Sequence, residues 1–185
     1  MPAATFTDLR RARRVLCYGV TGAGKSVAAV ALGEALGVPV HLVDEEFGWL
    51  PGWRQPSPDE IRRQVAPVAA GQEWVFDSAY GVFRDLVEPQ ADVVVGLDYP
   101  RWVSLSRLLR RTVSRVRTKR EVCNGNVETW RHVFSRDSVL LWHARSFARK
   151  RAVMRGWLTR PSGTPILLLR QPWELTQVLA DLKRG

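Results

Sequence analysis

Residues 19–26 read Gly19-Val20-Thr21-Gly22-Ala23-Gly24-Lys25-Ser26, a complete G-x-x-x-x-G-K-S run. Each residue type in it has a task in holding a polyphosphate. Glycines let the turn wrap closely around an anion, because no Cβ keeps the backbone N–H groups from pointing inward. A lysine at this spacing reaches the β- and γ-phosphates, and the following serine hydroxyl holds Mg²⁺. The candidate contacts are Gly19, Gly22, Ala23, Gly24, Lys25, Ser26 and Val27. The chemistry they point to is binding of a nucleoside triphosphate.

Such a loop works only between a strand and a helix, and the flanks supply both. Val15 to Tyr18 is short and apolar, a buried strand; Val27 to Leu36 is rich in Ala and Leu, a helix whose positive end faces the anion. Val40-His41-Leu42-Val43 reads as a second strand ending at Asp44, followed by a loop over 45–56. Ser57-Pro58-Asp59-Glu60 is a capping box with proline at the first helical position, so a helix runs to about Ala70. Trp74-Val75-Phe76 is a third strand ending at Asp77, with a short helix over about 82–88. Val93 to Leu97 is a fourth strand and Ile166 to Leu169 a fifth, with Pro172 opening the last helix. Pro100 opens a helix with Trp102, Leu105, Leu109, Val113 and Val116 on one stripe and Arg107, Arg111 and Arg115 on another. Asn124-Gly125-Asn126 is a turn, and a second long helix is expected over about 128–157. Strands alternating with helices mean a parallel, doubly wound α/β sheet.

In such sheets ligands bind at the carboxyl ends of the strands, where Asp44 and Asp77 lie. Either can hold Mg²⁺ waters or accept a proton from a substrate hydroxyl; either can instead cap a turn. Arg84 can hold an acceptor's phosphate or carboxylate, or form a surface ion pair. Arg54, Arg62 and Arg63 lie where an acceptor flap is expected, about 44–73. Trp49 and Trp53 can stack on an acceptor ring or pack as an aromatic loop. Arg107 and Arg111, one turn apart, face one ligand. With Arg115, Arg117 and Arg120 they offer the positive charge that a phosphoryl-transfer transition state requires. His41, His132 and His143 have no spacing that points to a metal or a triad.

The chain has 185 residues and a net charge of +10, and its 45% hydrophobic content suits a globular fold of one domain. Residues 99–160 hold sixteen basic and three acidic residues, a net of +13, so this block carries the whole excess. It can clamp polyphosphate, rest on nucleic acid or form a solvated face. No apolar run approaches a membrane span. The arginines at 10, 11, 13 and 14 precede the first strand rather than a secretory signal. Cys17 reads as a core residue, Cys123 has no local partner for zinc, and a reducing cytoplasm is expected.

These segments resemble the small P-loop nucleotide kinases, and more narrowly the bacterial adenylate-kinase-like proteins labelled DNA topology modulation (FlaR-like). The likeness rests on the phosphate loop, Leu42-Val43-Asp44, Pro51-Gly52-Trp53, Trp74 to Asp77, Leu97 to Trp102, Leu108 to Thr112, Asn124 to Glu128 and the 135–142 segment. It implies a P-loop NTPase three-layer α/β/α fold with strand order 2-3-1-4-5 and an arginine-rich lid at about 115–127. It also implies Asp77 as the acid closing strand three, Arg84 as a monophosphate-binding arginine, Arg107 and Arg111 on adenine and phosphate, and Arg170-Gln171 over the adenine edge. The chain departs at Asp77-Ser78-Ala79-Tyr80-Gly81, where that group has Asp-Gly-Phe-Pro-Arg. The expected activity is transfer of the γ-phosphoryl of ATP to a small, possibly nucleotide, acceptor, with Lys25, Asp77, Asp44, Arg111 and Arg117 as catalytic candidates, Asp44, Trp53, Arg54 and Arg84 on the acceptor, and ATP and Mg²⁺ as ligands. The rival expectation is a nucleic-acid-associated ATP-binding regulator that uses segment 99–160.

Overall fold

The structure is a computed structural model, described here for residues 3–135 and 138–184. Arg136 and Asp137, part of the 135–142 segment quoted above, lie outside the described residues. The apolar runs pair as parallel strands: β1 (Arg14–Gly19), β2 (Val40–His41), β3 (Trp74–Phe76), β4 (Val93–Leu97) and β7 (Ile166–Leu169). Their order is β2-β3-β1-β4-β7, the expected 2-3-1-4-5 once two hairpin strands after β4 are counted. Register is tight: Leu16 sits between Phe76 of β3 and Val94 of β4.

The sheet's two faces are covered by different helices. One face packs α2 (Lys25–Leu36) and α8 (Pro172–Lys183) with Val15, Cys17, Val95 and Leu97. The other packs α3 (Pro58–Ala69) and α7 (Val139–Thr159) with Leu16, Tyr18, Phe76 and Val94. Helix starts follow side-chain chemistry. Ser57 accepts from the Glu60 amide while Glu60 reaches back to the Ser57 amide, the reciprocal pair that stops α3 from fraying.

Several sequence expectations change. The second strand is only two residues long, and Asp44 opens a π turn over Asp44–Gly48 instead of ending a strand. The helix expected over 82–88 shortens to α4 (Arg84–Val87) followed by a 3₁₀ turn, Glu88–Gln90. The second long helix is two: α6 (Trp130–Val133) and α7, which starts afresh where the Ser138 hydroxyl accepts the Leu140 amide. The Asn124-Gly125-Asn126 turn joins a small antiparallel hairpin, β5 (Glu121–Val122) and β6 (Asn126–Val127).

The largest change is the face of α5 (Arg101–Thr118). Its buried side is Val103, Ser104, Leu108, Thr112 and Val116, while Trp102, Leu109 and Val113 are exposed. The cause lies in the glycine turn it packs against. A Cβ on Gly22, at φ +81°, would run into the Ser104 carbonyl and the Leu108 side chain. Only glycine fits at position 22, which lets the α5 backbone close on the loop, and the Ser104 hydroxyl is tied to His143 Nε2 at 2.9 Å. The helix is therefore rotated toward its arginine stripe. The remaining helix, α1 (Phe6–Arg11), has no counterpart in the sequence reading.

Candidate functional site

The phosphate loop joins β1 to α2 at the carboxyl edge of the sheet. Gly24 precedes α2 at φ 96°, a left-handed conformation open to glycine and costly for side chains. Ala23 is buried, and its carbonyl accepts Arg107 Nη1 at 3.0 Å, so α5 is clamped to the loop. The same guanidinium lies 5.5 Å from the centre of the Tyr99 ring. Lys25 is half-buried and its Nζ donates to the Val20 carbonyl at 3.2 Å. Burial pushes its pKa down, against the pull of the Asp77 and Asp44 charges.

Asp77, at the end of β3, is buried at 4% exposure, yet each oxygen is occupied. Oδ2 accepts the Ser26 hydroxyl at 2.6 Å, and Oδ1 accepts the Val43 amide at 2.9 Å. Burial raises its pKa, opposed by those two hydrogen bonds. Ser26 and Asp77 thus place two hard oxygen donors side by side below the loop. Magnesium bound to phosphates asks for one or two such oxygens and keeps several waters, so these residues fit that ion.

Asp44 is exposed at the start of the π turn, and Tyr80 donates its hydroxyl to Oδ1. Burial first, and then the Asp44 charge, push the Tyr80 pKa upward, so the phenol stays a donor. The Asp44 charge also acts on Lys25, Lys150 and Arg111, so it stands where the loop, α7 and α5 converge. Arg111 is exposed at its surface. Its pKa is lowered first by the protein packed around the guanidinium and then by Arg115.

Lys150, on α7, joins this site without any sequence motif to announce it. Its Nζ lies 5.9 Å from the centre of the Tyr18 ring. Burial, then repulsion from Lys25, push its pKa down to about 7. The one available signal was chemical: Lys150 is one of four lysines, set among arginines.

Other candidates lie elsewhere or are already engaged. Arg117 and Arg54 are exposed and their side chains form no hydrogen bond or ion pair among the described residues; the Arg54 carbonyl accepts the Leu50 amide at 2.8 Å. Arg84 Nη1 reaches the Tyr18 hydroxyl at 3.4 Å, and its Nε lies 3.8 Å from Glu88. Arg115 pairs with Glu128 at 2.8 Å. Arg170 and Gln171 border a cavity of about 430 Å³ with the buried Asp98, which holds Arg151 and, at 3.0 Å, Arg155. Val27, just after the loop serine, is 74% exposed.

Trp53 is committed to the protein. At φ 57° it gives its amide to Asn126 Oδ1 at 2.8 Å and its indole N–H to the Val127 carbonyl at 3.3 Å. Asn126 Nδ2 donates to the Leu50 and Cys123 carbonyls at 3.0 and 2.6 Å, and Asn124 Nδ2 to those of Glu45 and Trp49 at 2.8 and 2.7 Å. Trp49 meets Trp53 edge-on, with centroids 5.5 Å apart. The β5–β6 hairpin is therefore latched to the 45–53 segment. Cys123, at φ 46°, sits in this latch, and burial and the nearby Asp44 push its thiol up to about 11.

A parallel sheet of this order, with its glycine loop after the first strand and helices on both faces, is the P-loop kinase α/β/α fold. Neither a protein-family model nor a curated protein sequence matches the chain. Solved structures do. A gluconokinase from Sinorhizobium meliloti 1021 aligns at 19% identity over 92% of this chain and 91% of its own, with a TM-score of 0.51. A deoxyadenosine kinase from M. mycoides, with dCMP and dCDP bound, aligns at 12% identity over 92% and 97%, TM-score 0.56. A shikimate kinase from Acinetobacter baumannii in complex with shikimate aligns at 14% identity over 97% and 96%, TM-score 0.53. At these identities the likeness is one of fold.

Proposed function

We propose that the chain is an ATP-dependent phosphotransferase that moves the γ-phosphoryl group to a small acceptor, an adenylate-kinase-like protein of the FlaR-like kind. The observation that carries this is the Ser26–Asp77 contact at 2.6 Å beneath a glycine loop clamped by Arg107. In the reading, the loop amides from Gly19 to Val27 cradle the phosphates, and Lys25 leaves the Val20 carbonyl to meet them. Ser26 and Asp77 hold Mg²⁺, which supplies charge neutralisation on the phosphate oxygens. Arg111 and Lys150 add positive charge where the transferring group becomes more anionic. Arg107 and the Arg170-Gln171 loop flank the base. Segment 115–127 is the lid and 44–73 the acceptor flap; their latch excludes water, so transfer outcompetes hydrolysis.

Replacing Lys25 by Ala tests the site. ATP affinity and acceptor-dependent ADP formation are expected to fall together, turnover by about 10³-fold; a variant with both intact would overturn the assignment.

One observation favours the second reading, nucleic-acid binding by segment 99–160. Trp130, Trp142 and Phe134 are exposed there, Phe134 at 82%, and Arg149 lies 5.8 Å from the Trp142 ring centre. Bases stack on such platforms. That reading requires DNA or RNA affinity that falls steeply with salt.

A further inference from the structure

We propose that the phosphoryl acceptor is a hydroxyl compound without a phosphate, neutral or positively charged, received at the Asp44 carboxylate. This rests on the kinase reading above and names the acceptor class for the same site.

The first observation is the charge of the acceptor side. Residues 44–88 contain nine acids and four arginines, a net of −5. Three of the acids, Asp44, Glu45 and Glu46, fall in a single π turn. A phosphate-bearing acceptor brings two more negative charges to this turn and needs further cations to compensate, because those that face Asp44, namely Lys25, Arg111 and Lys150, are the ones the transferring phosphoryl group uses in the kinase reading.

The arginines are the second observation. Arg62 forks onto both Asp85 oxygens at 2.7 and 2.8 Å and also donates to the Val82 carbonyl at 2.7 Å. Arg84 is shared between Glu88 and the Tyr18 hydroxyl. The Arg63 charge is felt by Glu60 on the same helix. That leaves Arg54 and Arg63, two exposed guanidinium groups on separate segments, where phosphate recognition calls for a converging set.

The third observation is the state of Asp44 itself. Tyr80 occupies Oδ1, and Oδ2 has no hydrogen-bond partner among the described residues. An alcohol can lie against that free oxygen. Its hydroxyl proton passes to Oδ2 as the alcohol oxygen bonds to Pγ. The bond from Pγ to the bridging oxygen breaks, and its electron pair leaves on ADP. The Tyr80 hydrogen bond keeps the carboxylate oriented through the transfer.

The full-length chain with Mg²⁺ provides the test in two measurements. Diadenosine pentaphosphate, which spans a donor site and a monophosphate site, is titrated beside ATP. ADP formation is then followed with matched pairs: adenosine and AMP, glucose and glucose 6-phosphate, ethanolamine and phosphoethanolamine. The expectation is that the dinucleotide binds within about threefold of ATP and that only unphosphorylated partners stimulate ADP formation. Asp44→Asn should abolish that stimulation while ATP affinity holds. Dinucleotide binding about 100-fold tighter than ATP, or stimulation by phosphorylated partners alone, overturns the proposal. Failure of the kinase reading shows on a different measurement, ATP binding equally to the native chain and to Lys25→Ala.

Discussion

Two stretches of this chain meet at the phosphate loop with opposite charge. Residues 44–88, which carry Asp44 and Asp77, hold a net of −5, whereas residues 99–160, which carry Arg107, Arg111 and Lys150, hold +13. In the proposed function the basic stretch attracts the polyphosphate, and the acidic one supplies proton acceptance and a place for Mg²⁺. The contrast teaches that the positive and the negative sides of the candidate site are separated along the chain and joined only by folding.

The two acids of the acidic stretch offer the sharpest way to break this division. Asp77 touches Ser26, so Asp77→Asn should cost about 10²-fold in apparent Mg²⁺ affinity, measured by Mg²⁺ titration of turnover. Asp44→Asn should spare that affinity and lower kcat by about 10²-fold or more. Equal effects at both positions would erase the distinction. On the basic side, Arg107→Ala removes a guanidinium that already holds the loop at Ala23. ATP affinity should weaken about tenfold with kcat changed less, a split read from steady-state kinetics.

The contact between the two stretches is tested at Asn126. Asn126→Ala leaves the Trp53 amide and the Leu50 carbonyl without partners, at a cost of about 1–3 kcal/mol measured by urea unfolding. The smallest effect is a pH dependence. Burial, with repulsion from Lys25, holds the Lys150 pKa down at about 7 against an ordinary lysine value of 10.5. Between those values the unfolded chain binds a proton that the native chain does not, so stability rises with pH through that window. Lys150→Met should flatten the rise in melting temperature between about pH 7 and pH 10. Polyphosphate reverses the sign locally, and ATP binding near pH 8 should take up a proton, visible by calorimetry in buffers of different ionisation enthalpy.

Much of this was legible before any coordinates. Strands β1, β3, β4 and β7 were readable as apolar runs of the kind that parallel strands covered on both faces show, whereas the two-residue edge strand β2 was overextended. The meeting of Ser26 and Asp77 below the loop was readable because local motif and strand topology both place them at the sheet's carboxyl edge. The face of α5 was not, because hydrophobicity put Trp102 and Leu109 inward while the helix backbone at Ser104 lies directly against Gly22. Tyr80 was passed over because its partner, Asp44, is 36 residues away. Lys150 was lost in a helix whose arginines face several directions. The latch was missed because asparagine amides bonding to distant carbonyls leave no periodic trace.

That latch has a consequence for timing. Asn124 and Asn126 grip the backbone of Glu45, Trp49, Leu50 and Trp53, so no small side-chain rotation can open the gap between hairpin and flap. If, as proposed, hairpin and flap close over the site, reactants enter and leave only when several of these bonds part together. In that reading chemistry faster than the parting gains nothing, and the ceiling on turnover would be set by two amide side chains remote from the reacting atoms.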